Sequence, residues 1–150
     1  MIFKVLSISS LILLIDRLTK YILFRDLSEG ESISVVPGIF HITLVLNSGA
    51  AFGLLKGRSA FFIVLTALVI VFICFYIIRG GCKDILTLIA LGFILGGAAG
   101  NLIDRVLFGY VIDFLDFRIW PVFNIADASI NIGAFILVIK LIFDKRCCTT

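Results

Sequence analysis

Long apolar runs separated by short polar stretches dominate the chain. Residues 59–78, SAFFIVLTALVIVFICFYII, carry no charge, and about 20 mostly apolar residues suffice for a helix to cross the hydrocarbon core. Residues 85–103 are equally uncharged and end at Asp104-Arg105. A run over 121–142 holds Asp127 near its start and Lys140 near its end, and one over 3–24 is uncharged from Val5 to Ile15. The pattern predicts four transmembrane helices, at 3–24, 59–78, 85–104 and 121–142, with both termini on one side. The longer connections, 25–58 and 105–120, then share the opposite side. In the first, SISVV and IFHITLVL flank Pro37-Gly38, β-branched runs that predict a hairpin. In the second, RVLFGYVIDFLDF is strand-like, with Gly109 as a turn or bulge. The expected fold is an all-α membrane protein carrying a small β-layer made by the long loops, one domain over 1–150.

Composition strengthens this reading. The chain is 61% hydrophobic and 15% charged, against roughly 25% charged in soluble domains. A net charge of +3 without a polybasic run argues against nucleic acid as a partner. Cys74, Cys82, Cys147 and Cys148 show no C-x-x-C spacing and the sole histidine is His41, so no zinc-ligand pattern is present. Lys4 followed by Val5–Ile15 mimics a signal peptide, but Asp16-Arg17-Leu18-Thr19-Lys20 follows in place of a small-x-small site, and a retained helix is expected. Basic residues number six on the short-loop side and seven on the other, which leaves orientation undecided.

Candidate chemistry lies toward the long-loop side. Asp16 and Lys20 stand one helical turn apart. Asn47 and Gly49 open a small-residue stretch, LNSGAAFG over 46–53, which is expected to line a site and close over it. Asn101, Asp104 and Arg105 are spaced i, i+3, i+4, and Asn124, Asp127 and Asn131 follow on the last helix. A span starting near Pro121 puts Asp127 about 9 Å inside it, where an ionisable group points to function. For Asp16 and Asp104, structural pairing with Arg17, Lys20 or Arg105 stays equally open. Two carboxyls held together cannot both ionise readily, which supplies an acid and a base. H-E-x-x-H, G-x-S-x-G, D-T/S-G and G-x-G-D are all absent, so a peptidase here is an aspartic one of another kind. The rival class is a transporter relaying protons or cations through Asp104, Asp113 and Asp127, and a non-catalytic anchor ranks third. Polar groups gathered at one face favour an interfacial active site.

DRLTKY (16–21), NSGAAFG (47–53), GGAAGNLIDR (96–105), GYVIDF (109–114) and FNIADASINIG (123–133) resemble, in order, the motifs of the lipoprotein signal peptidases, or signal peptidase II. The resemblance implies catalytic aspartates at Asp113 and Asp127, supported by Asp16, Asn47, Asn101, Asp104, Arg105 and Asn124. It implies cleavage of diacylglyceryl-modified prolipoproteins before the lipidated cysteine, with no cofactor or metal and with inhibition by globomycin. It also implies a multi-pass protein of the bacterial inner membrane, termini in the cytoplasm, β-layer and active site at the outer face, surrounded by membrane lipids. A monomer is expected, although the sequence itself does not decide the oligomeric state. Asp116 is the spare carboxylate. On an extended segment it points away from Asp113, whereas a helical segment would leave it in competition. Arg105 is expected either to pair with Asp104, the preferred role, or to reach a lipid or peptide carbonyl; Gly96–Gly100 are expected to let helices approach, and Phe40, Phe52, Phe108, Phe114, Phe117 and Trp120 to anchor at the interface.

Overall fold

Seven elements follow in the order helix, hairpin, two helices, strand, helix. They are α1 (Ile2–Asp26), β1 (Ser32–Val36), β2 (Phe40–Asn47), α2 (Ser59–Ile78), α3 (Ile85–Phe108), β3 (Val111–Asp116) and α4 (Ile125–Phe143). The structure, a computed structural model, describes residues 2–49, 57–81 and 84–143. Among these, α2, α3 and α4 are long and apolar enough to cross a membrane, with mean hydropathies of 3.1, 1.9 and 1.9. The 25 residues of α1 have the length, but Asp16, Arg17 and Lys20 interrupt its apolar run.

The centre of the bundle is α3, packed against α1, α2 and α4. Small residues make this possible. A Cβ on Gly96 would lie 2.7 Å from the Ser9 carbonyl of α1, and one on Gly100 only 2.5 Å from Asp16 Oδ2. An apolar cluster of Val5, Ile73, Ile77, Leu88, Leu91 and Leu95 closes the end remote from the sheet.

The hairpin forms as expected around Pro37-Gly38, with Gly38 at φ +73°, and the strands order β1-β2-β3, antiparallel throughout. Val45 faces Asp113 and Asn47 faces Val111 across the β2–β3 ladder. Leu44 and Ile112 pack with Leu27 beneath the sheet.

Two expected boundaries shift. Val106–Phe108 carry α3 on past Asp104-Arg105, and Gly109, at φ +79°, ends the helix in the left-handed conformation and turns the chain into β3. The last helix starts at Ile125 rather than Pro121, because Phe123 first bridges Leu115 of β3. Asp127 therefore sits in the first turn of α4 rather than 9 Å within a span. Phe114 is only 3% exposed, so it belongs to the interior and is no interfacial anchor.

Candidate active site

The start of α4 is built to hold a carboxylate. Asn124 Oδ1 accepts from the Asp127 amide at 2.8 Å, and Asp127 Oδ2 accepts from the Asn124 amide at 3.4 Å. This reciprocal capping box fixes both side chains at the positive end of the helix dipole. A further free amide of that turn, Ala126 N–H, donates to Asp16 Oδ1 at 3.0 Å, so α1 helps cap α4.

Asp113 comes from a different element, the middle of β3, yet lines the same cavity as Asp127. That cavity measures about 720 Å³ and is also lined by Asn47, Gly49, Arg105, Phe62, Trp120, Ile130 and Asn131. Asn47 Nδ2 donates to Asp113 Oδ2 at 2.9 Å, and Asn124 Nδ2 to Asp113 Oδ1 at 2.6 Å. Asn101 Nδ2 donates to Asp127 Oδ1 at 2.7 Å. Asp113 is 2% exposed. Burial first, and then the negative charge of Asp127, push its carboxyl up to about 7 against the opposing bonds from Asn47 and Asn124.

Behind the asparagines lies an ionic cluster that faces α1. Lys20 is 1% exposed, with Nζ 2.9 Å from Asp16 Oδ2, 2.8 Å from Asp104 Oδ2 and 3.1 Å from Asn101 Oδ1. Arg17 pairs with Asp104. Asp104 Oδ2 also accepts from the Ile112 amide at 3.3 Å, tying α3 to β3. A lysine buried this deeply needs such partners. Through Asn101 and the Asp16 cap, the cluster also fixes how Asp127 is presented.

Asp113, Asp127, Asn47, Gly49, Asn101, Asn124 and Arg105 thus gather at the cavity or bond directly to its carboxylates, whereas Asp16 and Asp104 brace it from behind. The expected pairing of Arg105 with Asp104 is overturned. Arg17 and Lys20 occupy Asp104, and the Arg105 guanidinium instead lies 5.0 Å over the Phe62 ring on the cavity wall. Asp116 stands apart on the extended strand. It accepts from Thr43 Oγ1 at 2.7 Å and from the Arg118 amide at 2.9 Å, with the Arg118 guanidinium 3.5 Å away. Burial raises its carboxyl, but these bonds outweigh that effect and hold it below the usual carboxylate range. Of the expected closing segment 46–53, residues 50–53 lie outside the described residues, as does Phe52; Gly49 N–H donates to Asn47 Oδ1 at 3.0 Å.

Sequence reasoning placed Lys20 beside Asp16 but did not foresee its bond to Asn101, which links the ionic cluster to Asp127. The cavity wall of Phe62, Trp120 and Ile130 had no sequence signal as such, because only the packing of α2, α4 and the connection between β3 and α4 brings them to the carboxylates.

Residues 8–143 match the family described as signal peptidase (SPase) II. The lipoprotein signal peptidase of Halothermothrix orenii is 48% identical over 131 residues, 87% of this chain and 90% of that protein. That of Brevibacillus brevis is 45% identical over 141 residues, covering 93% and 95%. A solved bacterial membrane enzyme superposes with a TM-score of 0.91 at 34% identity, covering 99% of this chain and 93% of that one. A second gives 0.87 at 35% identity, covering 97% and 96%. With family match, relatives and fold in agreement over nearly its whole length, the chain belongs to the signal peptidase II family.

Proposed function

We propose that this chain is an aspartic endopeptidase that removes the signal peptide from diacylglyceryl-modified prolipoproteins, cutting before the lipidated cysteine. One observation carries the mechanism: Asp113 and Asp127, from separate elements, line one cavity, and the buried Asp113 titrates near neutrality. In this reading Asp113 holds the shared proton and Asp127 is the base. Asp127 takes a proton from water as the water oxygen bonds to the scissile carbonyl carbon, while Asp113 gives its proton to the carbonyl oxygen. The tetrahedral diol then collapses. The C–N bond breaks, the proton on Asp127 passes to the leaving nitrogen, and Asp113 recovers its own from the diol hydroxyl. Asn47, Asn101 and Asn124 hold the carboxyls in place, and Arg105, which faces the cavity, binds substrate oxygen.

The whole chain acts as one integral membrane domain, with α1 as the fourth span. Its charges are tolerated because Asp16, Arg17 and Lys20 face α3 and α4 rather than lipid. The sheet and the carboxylates lie at the outer face of the inner membrane, with both termini in the cytoplasm. The substrate enters sideways from the bilayer between α2 and α4, whose Phe62 and Ile130 both reach the cavity.

The test is cleavage by purified protein in detergent of a prolipoprotein with and without its diacylglyceryl group, with the products weighed by mass spectrometry. The expected result is one cut before the cysteine, dependent on the lipid and indifferent to chelator. A cut elsewhere, equal cutting of the unlipidated protein, or loss of activity with chelator overturns the reading. No cleavage of the lipidated protein would bring the transporter reading forward.

A further inference from the structure

The chain has four asparagines. Asn47 and Asn124 donate to Asp113, and Asn101 donates to Asp127. The fourth, Asn131, lines the same cavity, is exposed, and among the described residues has no hydrogen-bond partner. It lies on α4 one turn after Asp127, so both side chains project from the same helix face. The helix is one of the membrane candidates, and the neighbouring Ile132 and Phe135 are exposed apolar side chains suited to lipid. A carboxamide without a partner at membrane depth is costly unless something supplies its hydrogen bonds.

Distance says what that partner is. Four residues of helix place Asn131 about 6 Å from Asp127 along the axis, away from the sheet and into the bilayer. A signal peptide cut at the carboxylates runs the same way, and 6 Å is about two residues of extended chain. Its last carbonyls there lack helical N–H partners. The ester carbonyls of the diacylglyceryl group are acceptors of the same kind.

We propose that Asn131 is a substrate-positioning residue whose side-chain N–H donates to a carbonyl oxygen of the substrate inside the bilayer. The proposal rests on the peptidase reading above. Asn131 touches none of the dyad's hydrogen bonds, so its loss weakens binding and leaves the chemical step intact.

The test compares KM and kcat of the native protein, Asn131→Leu and Asn131→Thr. Each is measured on a diacylglyceryl prolipoprotein and on a matched dialkyl-ether form that lacks the ester carbonyls. Losing one hydrogen bond is expected to raise KM roughly three- to tenfold in Asn131→Leu at unchanged kcat, and the threonine hydroxyl restores part of it. A rise on both substrates assigns the peptide carbonyl, and a rise on the diester alone assigns the lipid ester. Unchanged KM on both substrates overturns the proposal. So does a fall in kcat with a lower melting temperature, because leucine on a lipid-facing helix should melt no lower than the native protein. Asp127→Asn runs alongside: cleavage surviving there defeats the dyad reading itself, whereas an inert Asp127→Asn with an unaltered Asn131→Leu defeats only this proposal.

Discussion

Asp113→Asn should abolish cleavage yet make the folded protein more stable at alkaline pH. The Asp113 carboxyl moves from 3.8 to about 7 on folding, and each pH unit is worth about 1.36 kcal/mol. Because the folded value is raised, the associated stability is fully present below pH 3.8 and is lost as pH rises through about 7. The loss totals about 4 kcal/mol, with little solvent screening at a side chain 2% exposed. Asparagine carries no charge and escapes that loss. It pays a smaller, pH-independent cost, because it offers one acceptor oxygen where Asn47 and Asn124 each donate to a separate one. Neither donor can flip its amide freely: Asn47 Oδ1 holds the Gly49 amide and Asn124 Oδ1 the Asp127 amide. With its oxygen turned to Asn47, the new NH2 faces Asn124 Nδ2, which keeps Asn101 Oδ1 at 3.2 Å and the Ile112 carbonyl at 3.3 Å, and that buried NH2 without an acceptor costs about 1–3 kcal/mol. The variant should therefore be near or below native stability at pH 5 and above it at pH 8, the difference shifting by about 2–3 kcal/mol between them. Thermal unfolding in detergent at the two pH values measures this. A stability difference that does not change with pH would refute the assigned burial and charge coupling.

Three other outcomes follow from the same geometry. Cleavage should fall as pH rises through about 7, where Asp113 gives up the proton the mechanism needs; a rate that holds level to pH 9 contradicts this. Lys20→Met removes the buried cation between Asp16 and Asp104, both 0% exposed, leaves them only the half-buried Arg17, and should cost about 3–5 kcal/mol in thermal or denaturant unfolding. Asp116→Asn should cleave at the native rate, since its partners Thr43 and Arg118 lie outside the cavity; a large fall in kcat would return Asp116 to contention.

Hydropathy made α2, α3 and α4 legible, and the β-branched runs either side of Pro37-Gly38 made the hairpin legible. The ends of helices were less so. Asp104-Arg105 looked like a stop, but Val106–Phe108 carry no helix breaker and α3 runs on to Gly109. Pro121 looked like a helix start, yet pairing of Phe123 with Leu115 keeps the chain extended until Asn124 caps α4. The residues that gather around the carboxylates were largely visible as polar positions in apolar context. Their partners were not. Asp104 and Arg105 are sequence neighbours, but successive helical residues point about 100° apart, so one turns to Lys20 on α1 and the other to the cavity. Asn131 was visible as one turn beyond Asp127, but that it lacks a partner emerges only once the helices are packed.

Whether Asp113 and Asp127 act as one dyad is decided by single-turnover cleavage by Asp113→Asn, Asp127→Asn and the double variant, at matched amounts of folded protein. Groups that share one proton act as a unit, so removing either should cost as much as removing both. The two single variants should fall to a common floor, and the double variant should go no lower. A single variant that keeps a substantial part of the native rate, or a double variant slowed by the product of the two single effects, would contradict the dyad.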